Sequence, residues 1–167
     1  MTHDDDMTAK QLIVMRHAKA GELPGGPDEE RALRGRGRHD AAAAGGWLRH
    51  RGFVPDQVIC SPARRARQTW HYASAELPGG VAATNDPRLY HAGAAELLGI
   101  IAGTAAEVGT LMYVGHNPAA AELAAGLTGQ ELPFPTAAIA VIAMPAQWAD
   151  AAEGTGALTA HWVPAHS

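Results

Sequence analysis

Aromatic side chains are scarce in this chain of 167 residues: two Phe, three Tyr and four Trp. Its core must therefore be small and aliphatic, and alanine and glycine are abundant. Cysteine is scarcer still. Cys60 stands alone, which excludes an intrachain disulfide. It fits a reducing cytoplasm, with the thiol expected as a small buried hydrophobe in a strand. The apolar stretch Ala137 to Met144 is far shorter than the ~20 residues of a membrane span. The acidic start, Met1-Thr2-His3-Asp4-Asp5-Asp6, lacks the basic region of a signal peptide. Basic residues are not in excess: 13 Lys and Arg against 17 Asp and Glu give a formal charge of −4. That argues against a nucleic-acid partner, while leaving room for a local basic pocket. What remains is a globular composition, 47% hydrophobic and 18% charged, long enough for a single domain. The expected division is a disordered leader over residues 1–10 and one domain over 11–167.

Buried runs punctuate the chain. Leu12 to Met15 is continuous and apolar, as suits a strand covered on both faces. Residues 21–30 form a Pro/Gly loop. A helix is expected over 36–51, weakened by Gly45 and Gly46 and stopped by Gly52. Gln57 to Cys60 is a second strand. Ser61-Pro62 then reads as the cap and first residue of a helix, which ends at Leu77-Pro78-Gly79-Gly80. A short strand near Val81 to Ala83, a helix over 94–108 and a strand over 110–114 follow. Another helix runs to about Leu127, with Asn117 as cap and Pro118 as first residue. Two late strands, 138–144 and 158–163, could pair as a hairpin. Strands alternating with helices imply an α/β domain whose largely parallel sheet carries helices on both faces.

Three buried runs end in chemistry. The first leads into Arg16-His17, the second into Ser61 and the basic stretch Arg64 to Thr69, and the strand over 110–114 into Gly115-His116-Asn117. Ligands of open α/β sheets bind beyond the carboxyl ends of the strands. Parallel neighbours would bring two histidines and at least two arginines together there. A guanidinium fork matches phosphate oxygens and stays charged. A neutral imidazole is a nucleophile near pH 7 if its second nitrogen is held by a carbonyl or carboxylate. His116 could donate to a phosphoryl oxygen. Successive strand residues face opposite ways, so Arg16 and His17 share a pocket only where strand geometry ends.

These residues also resemble a known family. Met15-Arg16-His17-Ala18-Lys19 is similar to the Arg-His signature of the histidine phosphatase superfamily, with its phosphoglycerate mutase-like fold. Ser61-Pro62-Ala63-Arg64-Arg65-Ala66-Arg67-Gln68-Thr69 resembles its second motif, and Gly115-His116-Asn117-Pro118 its second histidine motif. Arg31-Ala32-Leu33 with Gly37 resembles the segment before the first helix. The likeness extends over about residues 11–144 and is nearest to the SixA-type phosphohistidine phosphatases. It implies a three-layer αβα sandwich, a phosphohistidine on His17, and no metal or other cofactor. It also implies phosphate contacts from Arg16 and from Arg65, which the motif's register favours over Arg64 and Arg67. Arg31, Ser61, Asn117 and Lys19 are further candidates for substrate contact.

Departures from the family pattern narrow the reaction. Ala18 replaces a common glycine and Arg34 a threonine. Tyr90 stands where mutases and many phosphomonoesterases place a glutamate acid, with Asp86, His91 and Glu96 as conceivable substitutes. An alkoxide leaving group needs a proton, and a positioned acid contributes about 10²–10⁴-fold. Imidazole leaves without one. The leading expectation is thus a phosphatase for phosphohistidine in a protein. The alternatives are a phosphomonoesterase for a sugar or nucleotide phosphate, and a non-catalytic phosphate-binding module. The oligomeric state has no signature in the sequence.

Overall fold

The structure is a computed structural model and describes residues 10–166. The strands are β1 (Gln11–Arg16), β2 (Gln57–Cys60), β3 (Ala83–Asn85), β4 (Thr110–Gly115), β5 (Ile139–Ala143) and β6 (Ala157–Trp162). The helices are α1 (Gly35–Arg51), α2 (Arg64–Ser74), α3 (Ala94–Ala102) and α4 (Ala119–Thr128). Short 3-10 turns cover Asp28–Glu30, Pro87–Tyr90 and Trp148–Asp150. One sheet runs in the order β3-β2-β4-β1-β5-β6. The first four strands are parallel, and β5 and β6 are antiparallel. The late hairpin is therefore real.

Alternation along the central strands divides the core in two. Leu12, Val14, Leu111 and Tyr113 face one way and pack on Leu97 and Ile101 of α3 and on Leu123 and Leu127 of α4. Ile13, Met15, Met112 and Val114 face the other way, onto Ala41, Ala44 and Leu48 of α1 and Ala66, Trp70 and Ala73 of α2. Each fully buried Leu, Ile or Val side chain contributes about 1.5–3 kcal/mol. The result is the three-layer αβα architecture, with a phosphoglycerate mutase-like topology. Cys60 is a buried member of this core, and its thiol is pushed up to about 12 by desolvation.

Glycine explains how the α1–α2 layer closes. A Cβ at Gly45 would collide with the Ala73 carbonyl, and one at Gly37 with the Lys19 carbonyl. The helix weakness at Gly45 thus permits backbone contact with α2. Gly52 ends α1 with φ 77°, a left-handed conformation natural to glycine.

Several sequence expectations shift. Of the expected leader, residues 1–9 lie outside the described residues. Lys10 is anchored, since its carbonyl accepts from Met144 N–H at 2.8 Å and its Nζ donates to the Ala106 carbonyl at 2.6 Å. Ser61-Pro62 does not open α2, which starts at Arg64 after Ala63. Ser61 is instead bound into the site. The helix also stops at Ser74, before Leu77. Strand β3 lies two residues later than expected, and α3 stops at Ala102, where Gly103 bonds back to the Gly99 and Ile100 carbonyls.

Candidate active site

The sheet order places β2, β4 and β1 side by side and parallel. Their carboxyl ends therefore deliver Ser61, His116 and Arg16-His17 to one edge. A cavity of about 500 Å³ opens there. Arg16, His17, Lys19, Arg31, Arg65, His116 and Asn117 all line it, joined by Glu22, Asp28, Tyr90 and His91. Strand geometry ends at Arg16, which lets both members of the Arg-His pair reach the same space.

His17 is tethered through one ring nitrogen. Its Nδ1 lies 2.8 Å from the Ala18 carbonyl, which can only accept, so Nδ1 carries the proton and Nε2 keeps its lone pair. Ala18 N–H in turn donates to Thr69 Oγ1 at 2.9 Å, and that hydroxyl donates to the Arg65 carbonyl at 2.7 Å. Gln68 Oε1 accepts from Leu33 N–H at 2.8 Å. The Gln-Thr pair of the second motif thus ties α2 to the loop after β1. Desolvation lowers the His17 pKa from 6.5 to about 3, and the nearby His116, Arg65 and Arg16 charges add to the effect. The ring is neutral at physiological pH.

His116 faces it, with ring centroids 5.2 Å apart. Its pKa is lowered to about 4, by desolvation and then by Arg65. His116 Nε2 lies 2.8 Å from Ser61 Oγ, which accepts from Ala63 N–H at 3.2 Å. With that N–H occupying an oxygen lone pair, the hydroxyl proton can point at Nε2. Nδ1 would then carry the ring proton and serve as a neutral donor toward the cavity. Ser61 is fully buried and does not line the cavity, so it touches His116 rather than a ligand, contrary to its expected substrate contact.

Arg65 is nearly buried, with 6% exposure. Its Nη1 donates to the Asp28 carbonyl and its Nη2 to the Asp28 carboxylate, each at 2.9 Å. Arg16 Nη1 donates to the Phe134 carbonyl at 3.2 Å. The Nε atoms of both arginines are buried without a partner among the described residues, and such donors suit an anion. Arg31 divides its fork between the Asp28 carboxylate and the Gly21 carbonyl. It anchors its loop while lining the cavity. Asn117 donates to the Phe134 carbonyl and accepts from Ala121 N–H, so it caps α4 as expected, although Pro118 precedes the first helical residue. Lys19 is at the cavity wall.

Asp28 carries no motif and was missed in the sequence. Tyr90 hydroxyl, Arg31 and Arg65 all donate to its carboxylate and hold it well below the usual carboxylate range. Its only signal was position, three residues before Arg31 in a loop without periodicity. Of the conceivable acids, Asp86 caps the Pro87–Tyr90 turn and pairs with Arg88. Glu96 sits in the first turn of α3. Neither lines the cavity, whereas Tyr90 and His91 do.

Comparison with known proteins identifies the family. Residues 12–128 match the family model of the histidine phosphatase superfamily, branch 1. An uncharacterized protein of Mycobacterium tuberculosis is 37% identical over 161 residues, covering 90% of this chain and 99% of the relative. The SixA structure from Nakamurella multipartita superposes with a TM-score of 0.83 at 30% identity, covering 94% of this chain and 97% of that one. The SixA structure from Agrobacterium tumefaciens gives 0.81 at 27%, covering 93% and 98%. The chain belongs to the histidine phosphatase superfamily.

Proposed function

We propose that this phosphatase acts on phosphohistidine in a protein and carries the phosphoryl group on His17 Nε2. The observation that supports this best is the pairing of a neutral, singly tethered His17 with an Asp28 carboxylate that cannot act as an acid. Asp28 is held ionised by its three donors, so it has no proton to give an alkoxide. An imidazole already protonated on its far nitrogen needs none as it leaves. Arg16 and Arg65 hold the phosphoryl oxygens, and neutral His116 donates to one of them. Transfer of this kind needs positioning and charge stabilisation more than covalent help. After the dephosphorylated protein leaves, water attacks the phosphohistidine and releases phosphate.

The SixA neighbours are phosphohistidine phosphatases, which supports the same substrate class here. Cytoplasm, with lone Cys60 reduced, is the matching compartment. Among the described residues no group of three or more His, Cys, Asp or Glu is placed to hold a metal ion, and activity should survive a chelator. The test is a rapid quench at neutral to alkaline pH with excess phosphohistidine protein, followed by mass spectrometry of the intact chain and its peptides. A phosphoryl adduct on His17, absent from His17→Ala, is expected. Label surviving in that variant would remove the assignment, and label on His116 would exchange the two roles.

A further inference from the structure

The cavity has two unlike halves. Arg16, Arg65 and the two histidines form one. The other is a carboxylate beside aromatic rings: Tyr90 stacks edge-on with His91 at 4.4 Å and with His116 at 5.7 Å between centroids, and its hydroxyl donates to Asp28. Mutases would need an acid on this side. Here three donors favour the ionised carboxylate, which makes it a poor acid for a leaving group and a weak base.

We propose that Asp28, Tyr90 and His91 form a leaving-group subsite for a cationic azole, which makes the site prefer a protonated phosphoimidazole to a phosphate ester of equal leaving-group strength. The inference rests on His17 as phosphoryl acceptor and names what lies opposite it. Asp28 has room for the contact. A carboxylate offers about four acceptor positions; Oδ2 takes Arg65 Nη2 and the Tyr90 hydroxyl, while Oδ1 takes Arg31 Nε alone. The side chain is 52% exposed. A ring N–H⁺ can bond Oδ1, on the carboxylate whose other oxygen the Tyr90 hydroxyl holds.

The chemistry gives the carboxylate its use. The His17 Nε2 lone pair forms the new N–P bond as the substrate's P–N bond breaks. That electron pair returns to the departing ring. If the far ring nitrogen is protonated, the group leaves as neutral imidazole; if not, it must leave as an imidazolide anion. Asp28 therefore favours the reactive protonation state. The groups around it set the balance. Arg31 shares its loop, with Glu22 and Lys19 earlier in the same segment. Arg65 faces it from α2, Tyr90 and His91 from the turn after β3, His116 from the end of β4 and Arg16 from the end of β1. The phosphoryl dianion offsets the cations, leaving Asp28 as the immediate counter-charge of the ring.

The experiment compares free phosphohistidine with para-nitrophenyl phosphate, in the wild-type chain and in Asp28→Asn and Asp28→Ala. Both variants alter a half-exposed loop residue, and competitive inhibition by inorganic phosphate reports whether the Arg65 side of the site stays formed. In the wild type, the alkaline limb of kcat for phosphohistidine, which reports the bound substrate, should lie above the free substrate's own ring titration. In both variants that limb should move down toward it. The ratio of kcat/KM for phosphohistidine over the aryl ester should fall by about 10-fold or more, roughly what loss of a 1.4 kcal/mol contact gives. An unchanged ratio, with both substrates falling in parallel, would reduce Asp28 to a brace for Arg65 and overturn the proposal. A wild-type limb that coincides with the substrate's own titration would do the same. Failure to cleave phosphohistidine proteins, with the ratio effect intact on the small substrate, would instead overturn the protein-substrate reading alone.

Discussion

The strand ends and the loops of this site are built differently. His17, Ser61 and Arg65 are buried; His17 is linked to Arg65 through Ala18 and Thr69, and Ser61 to His116. Asp28 and Tyr90 stand in short 3-10 turns, Asp28 half-exposed and Tyr90 partly buried. On the proposed reading, the sheet edge would hold and move a phosphoryl group whatever it is attached to, and the loops would meet the group being expelled. Geometry that must be exact to fractions of an ångström is carried on rigid elements, and selectivity is placed where substitution leaves the core undisturbed.

Breaking the sheet side should have the largest effect. His17→Ala should lower kcat by about 10⁴-fold or more, as removal of a nucleophile does in other covalent enzymes. It should do so equally for phosphohistidine and aryl phosphate, because both use the same edge. A variant that spared one substrate would show that the sheet side is not common to both. Next comes Arg65→Ala, with an expected loss of about 10²–10³-fold, the scale of one charge-stabilising donor set. Inorganic phosphate should lose inhibitory strength in step.

The histidines also make the sheet side sensitive to acid in a way the loops are not. Folded pKa values of about 3 for His17 and 4 for His116, against 6.5 unfolded, mean that the unfolded chain binds more protons between these limits. Stability from this source is complete above pH 6.5. It is lost as pH falls through that window, each histidine giving up about 1.4 kcal/mol for every pH unit crossed. Thermal unfolding followed from pH 7 to 4 should show a steep fall in Tm, and the slope should flatten in His17→Asn and His116→Gln. Equal slopes in all three chains would mean that other groups control acid unfolding.

The same division explains what could be read in the sequence. Arg16-His17 and His116 were legible because each follows a run whose continuous apolarity marks a doubly covered strand, and parallel pairing then fixes their common edge; Arg65 was told from Arg64 and Arg67 by the register of the family motif. The αβα layering was legible for the same reason. Ser61 was misread because Ser-Pro satisfies the statistics of a helix start. Its hydroxyl is instead engaged by His116, and α2 begins three residues later. Gly45 counted against a helix until the Ala73 carbonyl explained it. Asp28 left no trace, since a loop carboxylate has no period, and its partners Arg65 and Tyr90 lie 37 and 62 residues away.

Tyr90→Glu sharpens the comparison by giving the loops the acid they lack. Tyr90 already points at the cavity, through its hydroxyl to Asp28 and its ring toward His116. The ionised Asp28 would raise the pKa of an introduced carboxyl, keeping it protonated nearer neutral pH. Activity on an alkyl phosphate should rise by on the order of 10-fold, short of the full 10²–10⁴ of an evolved acid. Phosphohistidine cleavage should not gain, because a ring already protonated on its far nitrogen leaves as neutral imidazole without a further proton. A gain on both substrates alike would mean that the glutamate acts by opening the cavity.

The smallest expected effect lies where the two regions differ least in charge, at Ser61. Its hydroxyl makes one neutral hydrogen bond to His116, and a bond of that kind is worth about 0.5–1.5 kcal/mol. Ser61→Ala should therefore cost about 10-fold or less in kcat/KM for every substrate, whatever its leaving group. The informative readout is the ring itself. With Ser61 donating to Nε2, nitrogen NMR should find His116 as the Nδ1-protonated tautomer, and the alanine variant should show a mixture or the opposite form. If His116 donates to phosphoryl oxygens common to all substrates, as proposed, the loss should be flat across leaving groups. A loss concentrated on alkyl phosphates would instead make His116 the proton donor to the leaving group. The line between a sheet edge that moves phosphate and loops that choose its source would then pass through that ring.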